Sequence, residues 1–545
     1  MVSSSPSQRT IERHRPPAAI PGGLRGFSSV SSCRRFESSF SSVSGRGMSW
    51  RRISANSLYV LLATAALAVL QWVIVAMIAR REGSVALGEY ALSQAFAVPG
   101  SYLAWLSLRQ QLLVSGGQLG SASDMMFLRL AFPLIVFGAI LGFIAVSYQS
   151  QWLLTISACV LAQKYIEGFL DLSYAYMQKS NNWKSLAIST VVRCALLVVV
   201  FAVVYVLSDH LAAALIAVTG FSVLFYLVFD RRFDPPVRAA NVFDFSRPAS
   251  ARRWGLVVLL LPLAVSSVVM SLTMNAPRFL IDVILGPAEL GHFAAVSHFV
   301  VLGAVATGSV GHAILPVLAE TIRGRREREF WRQLIAIMVA VQVACGLGIA
   351  ASVVLGGELL RLLYGNAFAG QAALLTAAAV AAGPVYCASI AANGCYAAGL
   401  RRGLLASQVI ALLTVMFMTL LTLRSWGNFG AFGGMLAAGT MQLMFCLVVL
   451  HRFWRRHRKQ EQRGLTNRGS SAPFPPATLR RPLLYDDRVG IAGEGAYVST
   501  SCPGRQRLIE SAKPGNALEI FVMIKRNDIN RREPDFADNI RSCIR

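Results

Sequence analysis

The sequence predicts an all-α, polytopic membrane protein with about twelve transmembrane helices. Hydrophobic residues make up 55% of the 545-residue chain and charged residues 14%, whereas soluble domains usually carry about 25% charged residues. Apolar stretches of about 20 residues, the length that spans a hydrocarbon core, recur along most of the chain. The basic residues alternate between loops, as expected when cytoplasmic loops retain the positive charge.

Twelve apolar segments account for the predicted spans. The first six lie at 56–78, 85–107, 127–148, 152–175, 184–207 and 210–229. The last six lie at 256–276, 289–318, 333–355, 371–397, 404–423 and 430–450. Loops predicted to be cytoplasmic hold 17 basic residues, from Arg109 to Arg402, and those on the other side hold five: Arg80, Arg81, Arg278, Arg361 and Arg424. Because dropping any span would scramble this asymmetry, we expect both termini to be cytoplasmic.

The spans divide the chain into two halves with polar extensions. Residues 1–47 form a Ser- and Arg-rich leader whose composition is typical of a transit peptide or of a disordered segment ahead of a start at Met48. We predict a six-helix bundle at 48–230, a cytoplasmic linker at 231–254 and a second six-helix bundle at 255–452. The remaining residues, 453–545, are predicted to form a basic, mostly disordered tail.

Composition and motifs exclude several classes of protein. The formal net charge is +25, but its arginines lie mostly in short loops and tails, where topology and anionic headgroups explain them, so nucleic acid is not an expected partner. The nine cysteines form no CxxC pair and no Cys/His cluster with metal-ligand spacing. The sequence contains no P-loop, GxSxG or HExxH motif, so neither an enzyme nor a cofactor is predicted.

An internal repeat relates the two halves. A shift of 203 residues places Gly83, Leu87, Gly88, Tyr90, Ala91 and Phe96 on Gly286, Leu290, Gly291, Phe293, Ala294 and Phe299. Six predicted helices separate the copies, so both run in the same direction. Parallel repeats related by an axis along the membrane normal are typical of transporters, with the substrate site between the halves. Chance similarity between two Gly- and Ala-rich segments is the alternative.

The residues around both repeats resemble a known family. Residues 78–83 and 87–91, together with 275–279, 285–286, 290–293, Leu315-Pro316 and Ala319-Glu320, are similar to bacterial polysaccharide exporters. These are the O-antigen and exopolysaccharide flippases of the multidrug, oligosaccharidyl-lipid and polysaccharide exporter superfamily. The resemblance covers roughly residues 48–450 and leaves out both tails.

The resemblance implies two six-helix bundles around a cavity that opens alternately to each side. Its implied cargo is a polyprenyl-diphosphate-linked oligosaccharide, moved from the cytoplasmic to the periplasmic leaflet of a bacterial inner membrane for surface polysaccharide biosynthesis. Expected partners are this glycan lipid and membrane lipids, with a polysaccharide polymerase and a chain-length regulator as further candidates.

Span four carries the clearest candidate site. Lys164, Glu167 and Asp171 lie at i, i+3 and i+7, and Tyr174 and Gln178 continue the same polar stripe. Ionisable groups within a membrane are costly and nearly always face a cavity or a partner. A self-paired structural cluster of Lys164 and Glu167, with a solvated Asp171, is the alternative.

Further basic and polar residues complete the predicted substrate site. Arg193 lies near the middle of span five, and Arg109 and His312 occupy equivalent repeat positions near the cytoplasmic ends of spans two and eight. Arg278 follows Asn275 near the periplasmic end of span seven. These residues could form a cationic ladder for a diphosphate, although Arg109 and Arg278 are equally well explained as interfacial anchors. Equal helix depths suggest that Arg193 pairs with Glu167 and leaves Lys164 free toward the cavity.

Other functions remain compatible with parts of this pattern. A cation-coupled drug or metabolite antiporter of the same superfamily should carry acidic residues in a bundle core, whereas the charges in the middle of the spans are mixed in sign. A peptidoglycan-precursor flippase would share most of the predicted features. A membrane polymerase or ligase is disfavoured because every predicted periplasmic loop is short.

Overall fold

The computed structural model describes residues 50–114, 121–234 and 239–468. These residues form α-helices joined by short turns. The helices of the first half are α1 (Trp50–Arg81), α2 (Gly83–Ala104), α3 (Leu108–Val114), α4 (Ala122–Tyr148), α5 (Gln151–Lys179), α6 (Trp183–Ser208) and α7 (Leu211–Phe225). Those that follow are α8 (Ala239–Val242), α9 (Arg247–Leu285), α10 (Pro287–Arg323), α11 (Glu327–Tyr364), α12 (Ala372–Ala397), α13 (Arg401–Trp426) and α14 (Asn428–Arg468).

Each of the twelve predicted spans falls on its own long helix. Among the described residues, eleven helices are long and apolar enough to cross a membrane. Of the twelve helices that carry a predicted span, α2 is the one that does not meet this criterion. At 22 residues, α2 is about 33 Å long and therefore still long enough to span. It carries Glu89 and Gln94 and packs against α4, α5, α9 and α10. Because its neighbours cover it, α2 does not need an apolar surface for lipid.

The two sequence repeats adopt the same local structure. Gly83 joins α1 to α2 with φ 81°, and Gly286 joins α9 to α10 with φ 90°. These glycines are 203 residues apart, and both lie in the region of positive φ that side chains other than glycine rarely adopt. The turn between the first two helices of each half is therefore built in the same way.

A reciprocal contact relates the repeats in space. A Cβ atom on Gly88 would lie 1.9 Å from the carbonyl oxygen of Pro287, and one on Gly291 would lie 1.9 Å from the carbonyl oxygen of Ser84. Ser84 and Pro287 are also equivalent positions of the repeat. Rotation of one half onto the other therefore places each of the two contacts on the other. Such self-complementarity is the property of a two-fold contact. Helices α2 and α10 thus cross at glycines, about a pseudo-two-fold axis along the membrane normal.

The two bundles meet at one end of the molecule, here named the closed end. It comprises the α1–α2 turn, the α9–α10 turn and the last turns of α11. The indole nitrogen of Trp72 donates to the Tyr364 hydroxyl at 3.1 Å, and Arg80 donates to the carbonyls of Leu362 and Leu363. Among the described residues, the hydrogen bonds that join α1–α7 to α10–α14 lie at this end; we name the opposite end the open end.

Helix α9 runs between the bundles and contacts both. Near the open end, Val257, Leu260 and Ala264 pack with apolar residues of α3, α4 and α5. Farther along, Ser266 donates to Gln408 of α13 at 3.0 Å. Helix α9 begins at Arg247, so the last part of the predicted 231–254 linker is helical.

Arginine side chains fasten the start of α9 to the first bundle. The Arg253 Nε lies 3.0 Å from Asp124 of α4, and its guanidinium also donates to the carbonyls of Asn241, Val242 and Asp244. The same guanidinium lies 4.0 Å from the Phe127 ring centroid. The segment between the bundles is therefore held against α4.

The first part of the predicted tail is helical. Helix α14 continues to Arg468, because Trp454 is buried against Phe330 with ring centroids 5.6 Å apart and Arg458 pairs with Glu327 at 3.1 Å. The start of the predicted disordered segment is therefore helical. The predicted leader at 1–47 and the rest of the tail beyond 468 lie outside the described residues.

Candidate functional site

The polar stripe on α5 contains a direct ion pair. Lys164 Nζ lies 2.7 Å from Glu167 Oε2, and Gln163 also donates to Glu167, at 3.4 Å. The expectation that Lys164 is free toward the cavity is therefore wrong. One helical turn brings residues i and i+3 together, so Lys164 reaches the nearest carboxylate on its own helix.

Asp171, one turn farther along α5, is held by two arginines. Arg109 Nη1 lies 2.9 Å from Asp171 Oδ1, and Arg129 Nη2 lies 2.7 Å from Asp171 Oδ2. Arg109 also donates to Gln178 at 3.2 Å. The solvated Asp171 of the alternative interpretation is thus wrong as well. The cluster of Arg109, Asp171 and Arg129, here named the two-arginine cluster, carries a formal charge of +1.

Arg129 is the member of this cluster that sequence reasoning missed. The sequence interpretation counted it among the 17 basic residues of the cytoplasmic loops, although it lies at the start of the predicted span 127–148, and α4 begins earlier still, at Ala122. Arg129 therefore lies about 10 Å along the helix, its side chain has no solvent exposure, and its guanidinium lies 5.8 Å from the Trp105 ring centroid. Its Nε and Nη1 lack a hydrogen-bond partner. The signal was present, since Arg129 stands inside an apolar run from Met125 to Phe132.

A glycine makes room for the aromatic side of the cluster. A Cβ atom on Gly168 of α5 would lie 2.9 Å from Trp105 Nε1, so a larger residue would push the indole away. Trp105 follows the end of α2, where Leu106 and Ser107 both adopt positive φ values of 51°. Residues with side chains rarely take this conformation, so the turn that presents Trp105 and Arg109 is strained.

Arg193 is buried inside the first bundle. It is 3% exposed and interacts with the Tyr174 hydroxyl and, at longer range, with the Glu167 carboxylate. Glu167 is already paired with Lys164, so the predicted Arg193–Glu167 pair is not a direct contact. The Arg193 Nε has no hydrogen-bond partner.

Asp230 is a second residue that sequence reasoning did not select. It lies in the π-helical turn Tyr226–Asp230 that continues α7, is fully buried and accepts a 2.6 Å hydrogen bond from Ser189. It also interacts electrostatically with Arg193. Single π turns occur frequently at functional sites in helices. In the sequence, Asp230 stands beside Arg231 and Arg232 and looks like an ordinary loop acid.

Asn275 and Arg278 lie apart from these groups, in the part of α9 near the closed end. The Arg278 Nη1 donates to Asn275 Oδ1 at 3.2 Å, and Asn275 donates to the Ser271 carbonyl at 2.9 Å. The neighbouring α2 residue Tyr90 interacts electrostatically with Arg278. The Arg278 Nε has no partner. His312 lies within α10, but its side chain is outside the described part of the structure.

The arrangement suits electrostatic binding of an anion. Within the described ranges, no group of three or more His, Cys, Asp or Glu side chains is placed to hold a metal ion. The two-arginine cluster lies about 10–12 Å from the open-end termini of α4 and α5. Arg109 is 30% exposed and Asp171 18%. A planar guanidinium can bind carboxylate or phosphate through two parallel hydrogen bonds.

Comparisons with known proteins give the same fold. No family model matches the chain. One similar structure is the inward-facing conformation of a multidrug resistance MATE family transporter of the MOP superfamily. The superposition covers 76% of this chain and 97% of the transporter, with a TM-score of 0.54 and 13% identity. A mutant of the Vibrio cholerae MATE transporter VcmN superposes over 97% of its length on 74% of this chain, with a TM-score of 0.51 and 14% identity. The chain therefore has the fold of these MATE transporters.

A curated relative in sequence is a protein of polysaccharide biosynthesis. The capsular polysaccharide biosynthesis protein CapF of Staphylococcus aureus is 26% identical over 206 residues, which are 38% of this chain. The match spans about half of CapF, 51% of its length. The predicted resemblance to polysaccharide exporters of this superfamily is confirmed, and the chain is a multi-pass membrane protein.

Proposed function

We propose that the chain is a flippase that moves a polyprenyl-diphosphate-linked oligosaccharide between the leaflets of a bacterial inner membrane by alternating access. Three features support this proposal: the fold of the MATE transporters, the resemblance to CapF, and a two-arginine cluster set deep in the first bundle. The cluster is the observation on which the substrate class rests.

The chemistry of the cluster suits a diphosphate. Two guanidinium groups converge on one carboxylate, and the Arg129 Nε and Nη1 have no protein partner. Buried N–H groups without partners cost free energy. A diphosphate has enough acceptor oxygens to engage both arginines, and Arg109, being partly exposed, would meet it first. Cargo and Asp171 would then compete for the same cations.

The distribution of charge supports an orientation of the chain in the membrane. Most basic residues of the loops lie at the open end, which we therefore propose to be cytoplasmic. Cargo would enter there while the closed end seals the other side. Opening the closed end requires parting the Trp72–Tyr364 and Arg80 contacts. A cargo that binds the two arrangements with different affinities shifts their populations.

The decisive experiment removes one guanidinium and leaves the fold intact. In an Arg109→Gln variant, Asp171 keeps Arg129 as its partner, so we expect normal insertion but at least a tenfold loss of surface glycan in a null strain. Binding of purified lipid-linked oligosaccharide should weaken in parallel. Lys179→Gln is the matched control, because Lys179 is an exposed cation at the open end of α5.

Two outcomes would overturn the proposal. One is normal glycan export by Arg109→Gln at normal protein levels. The other is a purified protein that exchanges organic cations for protons or sodium and ignores the lipid-linked glycan, which would assign the chain to the drug or metabolite antiporters. The variant Arg193→Lys tests a separate point. If Arg193 only stabilises the bundle through Tyr174, this variant should retain most of the glycan export.

A further inference from the structure

A groove at the closed end lies between the two bundles. It has a volume of about 490 Å³ and is lined by Arg80 of α1 and by five residues of the last turns of α11: Leu355, Glu358, Leu359, Arg361 and Leu362. This volume falls within the range of about 300–1,000 Å³ that is usual for ligand sites. Because each bundle supplies part of the lining, an occupant would contact both.

The groove is amphipathic in a way that matches a membrane lipid. Leu355 and Leu362 are 58% and 68% exposed and form an apolar side. Arg80 and Arg361 stand near the ends of the apolar segments of α1 and α11, at the level where a bilayer passes from acyl chains to headgroups. A phospholipid has the same order of groups: a charged phosphodiester headgroup, followed by an apolar acyl chain.

The charges in the groove leave one cation in excess. Arg361 pairs with Glu358 at 2.9 Å, but both side chains remain largely exposed, at 58% and 70%. Arg80 uses its Nε and one terminal nitrogen for the carbonyls of Leu363 and Leu362. Two arginines and one glutamate give a formal charge of +1, which complements the single negative charge of an anionic phospholipid headgroup. Arginine is well suited to phosphate.

We propose that this groove binds an anionic phospholipid from the adjacent leaflet and that the bound lipid stabilises the closed end. The headgroup phosphate lies against Arg80 and Arg361, and an acyl chain lies along Leu355, Leu359 and Leu362. Because parting of the bundles would separate Arg80 from α11, the lipid binds the closed arrangement more tightly and shifts the population toward it. This site is separate from the two-arginine cluster and does not depend on the identity of the cargo.

Lipid retention tests the site directly. Full-length protein is reconstituted with phosphatidylcholine alone or with added phosphatidylglycerol, and native mass spectrometry counts the lipids that remain bound. We expect selective retention of one phosphatidylglycerol. Since a surface arginine contributes roughly a fivefold change in affinity for anionic lipid, Arg361→Gln should weaken retention by about that factor and Glu358→Gln should strengthen it. Arg424→Gln is the matched control: this exposed arginine lies at the closed-end terminus of α13, outside the groove.

A conformational readout accompanies these measurements. Hydrogen exchange of the segment Gly83–Gly88 should slow when phosphatidylglycerol is added to the parent protein, and this protection should be lost in Arg361→Gln. Two results would overturn the proposal: equal retention of the two lipids, or an equal loss of phosphatidylglycerol retention in Arg424→Gln and Arg361→Gln. Either result would mean that binding depends on diffuse surface charge. Equal protection by inorganic phosphate in phosphatidylcholine would assign the groove to a free anion. Retention without a change in exchange would refute its link to the closed end.

Discussion

The two six-helix bundles share a backbone plan but not an interior. In the first bundle, Arg129, Lys164, Glu167, Asp171 and Arg193 lie well inside their helices, and all but Glu167 and Asp171 are buried. On the described parts of α10–α13, Asp, Glu, Lys and Arg stand within about two turns of a helix end. Both repeats therefore share the crossing of α2 and α10 and the turns before them, whereas the charged residues well inside α4, α5 and α6 have no counterpart on the described parts of α10–α13.

This difference separates framework from chemistry. The contacts made at Gly88 and Gly291 depend only on backbone atoms, so both repeats can make them whatever their other side chains. The ionic groups of α5 need partners on α3 and α4, and α12, which passes through the second bundle, has no charged residue. The ionic groups of the two bundles are therefore asymmetric, although the bundles share a symmetric frame.

The strongest test of this comparison removes the shared anion of the two-arginine cluster. Asp171→Ala leaves Arg129 buried without a counter-charge, and breaking a buried ion pair from one side costs about 3–5 kcal/mol. We expect the largest loss of thermal stability for this variant, measured by melting of the purified protein in detergent. Asp171→Ala combined with Arg129→Met should recover part of the loss.

The matched control lies in the second half. Glu358 and Arg361 form an ion pair of similar length, 2.9 Å, but both side chains are exposed, so Glu358→Ala should cost at most about 1 kcal/mol. A loss in Asp171→Ala no greater than that in Glu358→Ala would mean that the charges of the first bundle are effectively solvated, and the contrast between the bundles would disappear.

The sequence predicted the framework better than the site. Long apolar segments and loop arginines located all twelve helices, because span length and charge placement are local properties. The 203-residue repeat was also visible, since glycine is required where α2 and α10 cross. Arg129, one partner of Asp171, was missed because it was counted with the loop cations although it lies inside the predicted span 127–148. Lys164 was misassigned because helix depth was weighed more heavily than the nearer i+3 carboxylate.

The second prediction tests the symmetry of the frame. Gly88→Ala and Gly291→Ala each place a methyl group on a carbonyl oxygen, and we expect each to lower stability by about 1–3 kcal/mol, the usual cost of overpacking. Because the two contacts are equivalent, the two losses should be of similar size. Gly138→Ala, on α4, meets open space and should be neutral or slightly stabilising. A large loss at one crossing glycine with none at the other would rule out a reciprocal contact.

The smallest expected effect concerns Asp234, which follows α7 at the open end of the first bundle. Burial raises the pKa of this carboxyl, although hydrogen bonds from Ser173 and Tyr226 partly offset the shift. Its unfolded pKa is about 3.9, so the unfolded chain ionises first, and the folded state loses stability as the pH rises from that value through the raised pKa. The variant Asp234→Asn has no carboxyl group at this position and therefore does not lose stability in this way as the pH rises.

The melting temperature of the variant relative to the parent should therefore be slightly higher at pH 7 than at pH 4. Glu327→Gln, at the open end of the second bundle, loses the pair with Arg458 and should instead melt slightly below the parent at pH 7. A melting difference for Asp234→Asn that stays constant between pH 4 and pH 7 would show that this carboxyl titrates alike in the folded and unfolded chains.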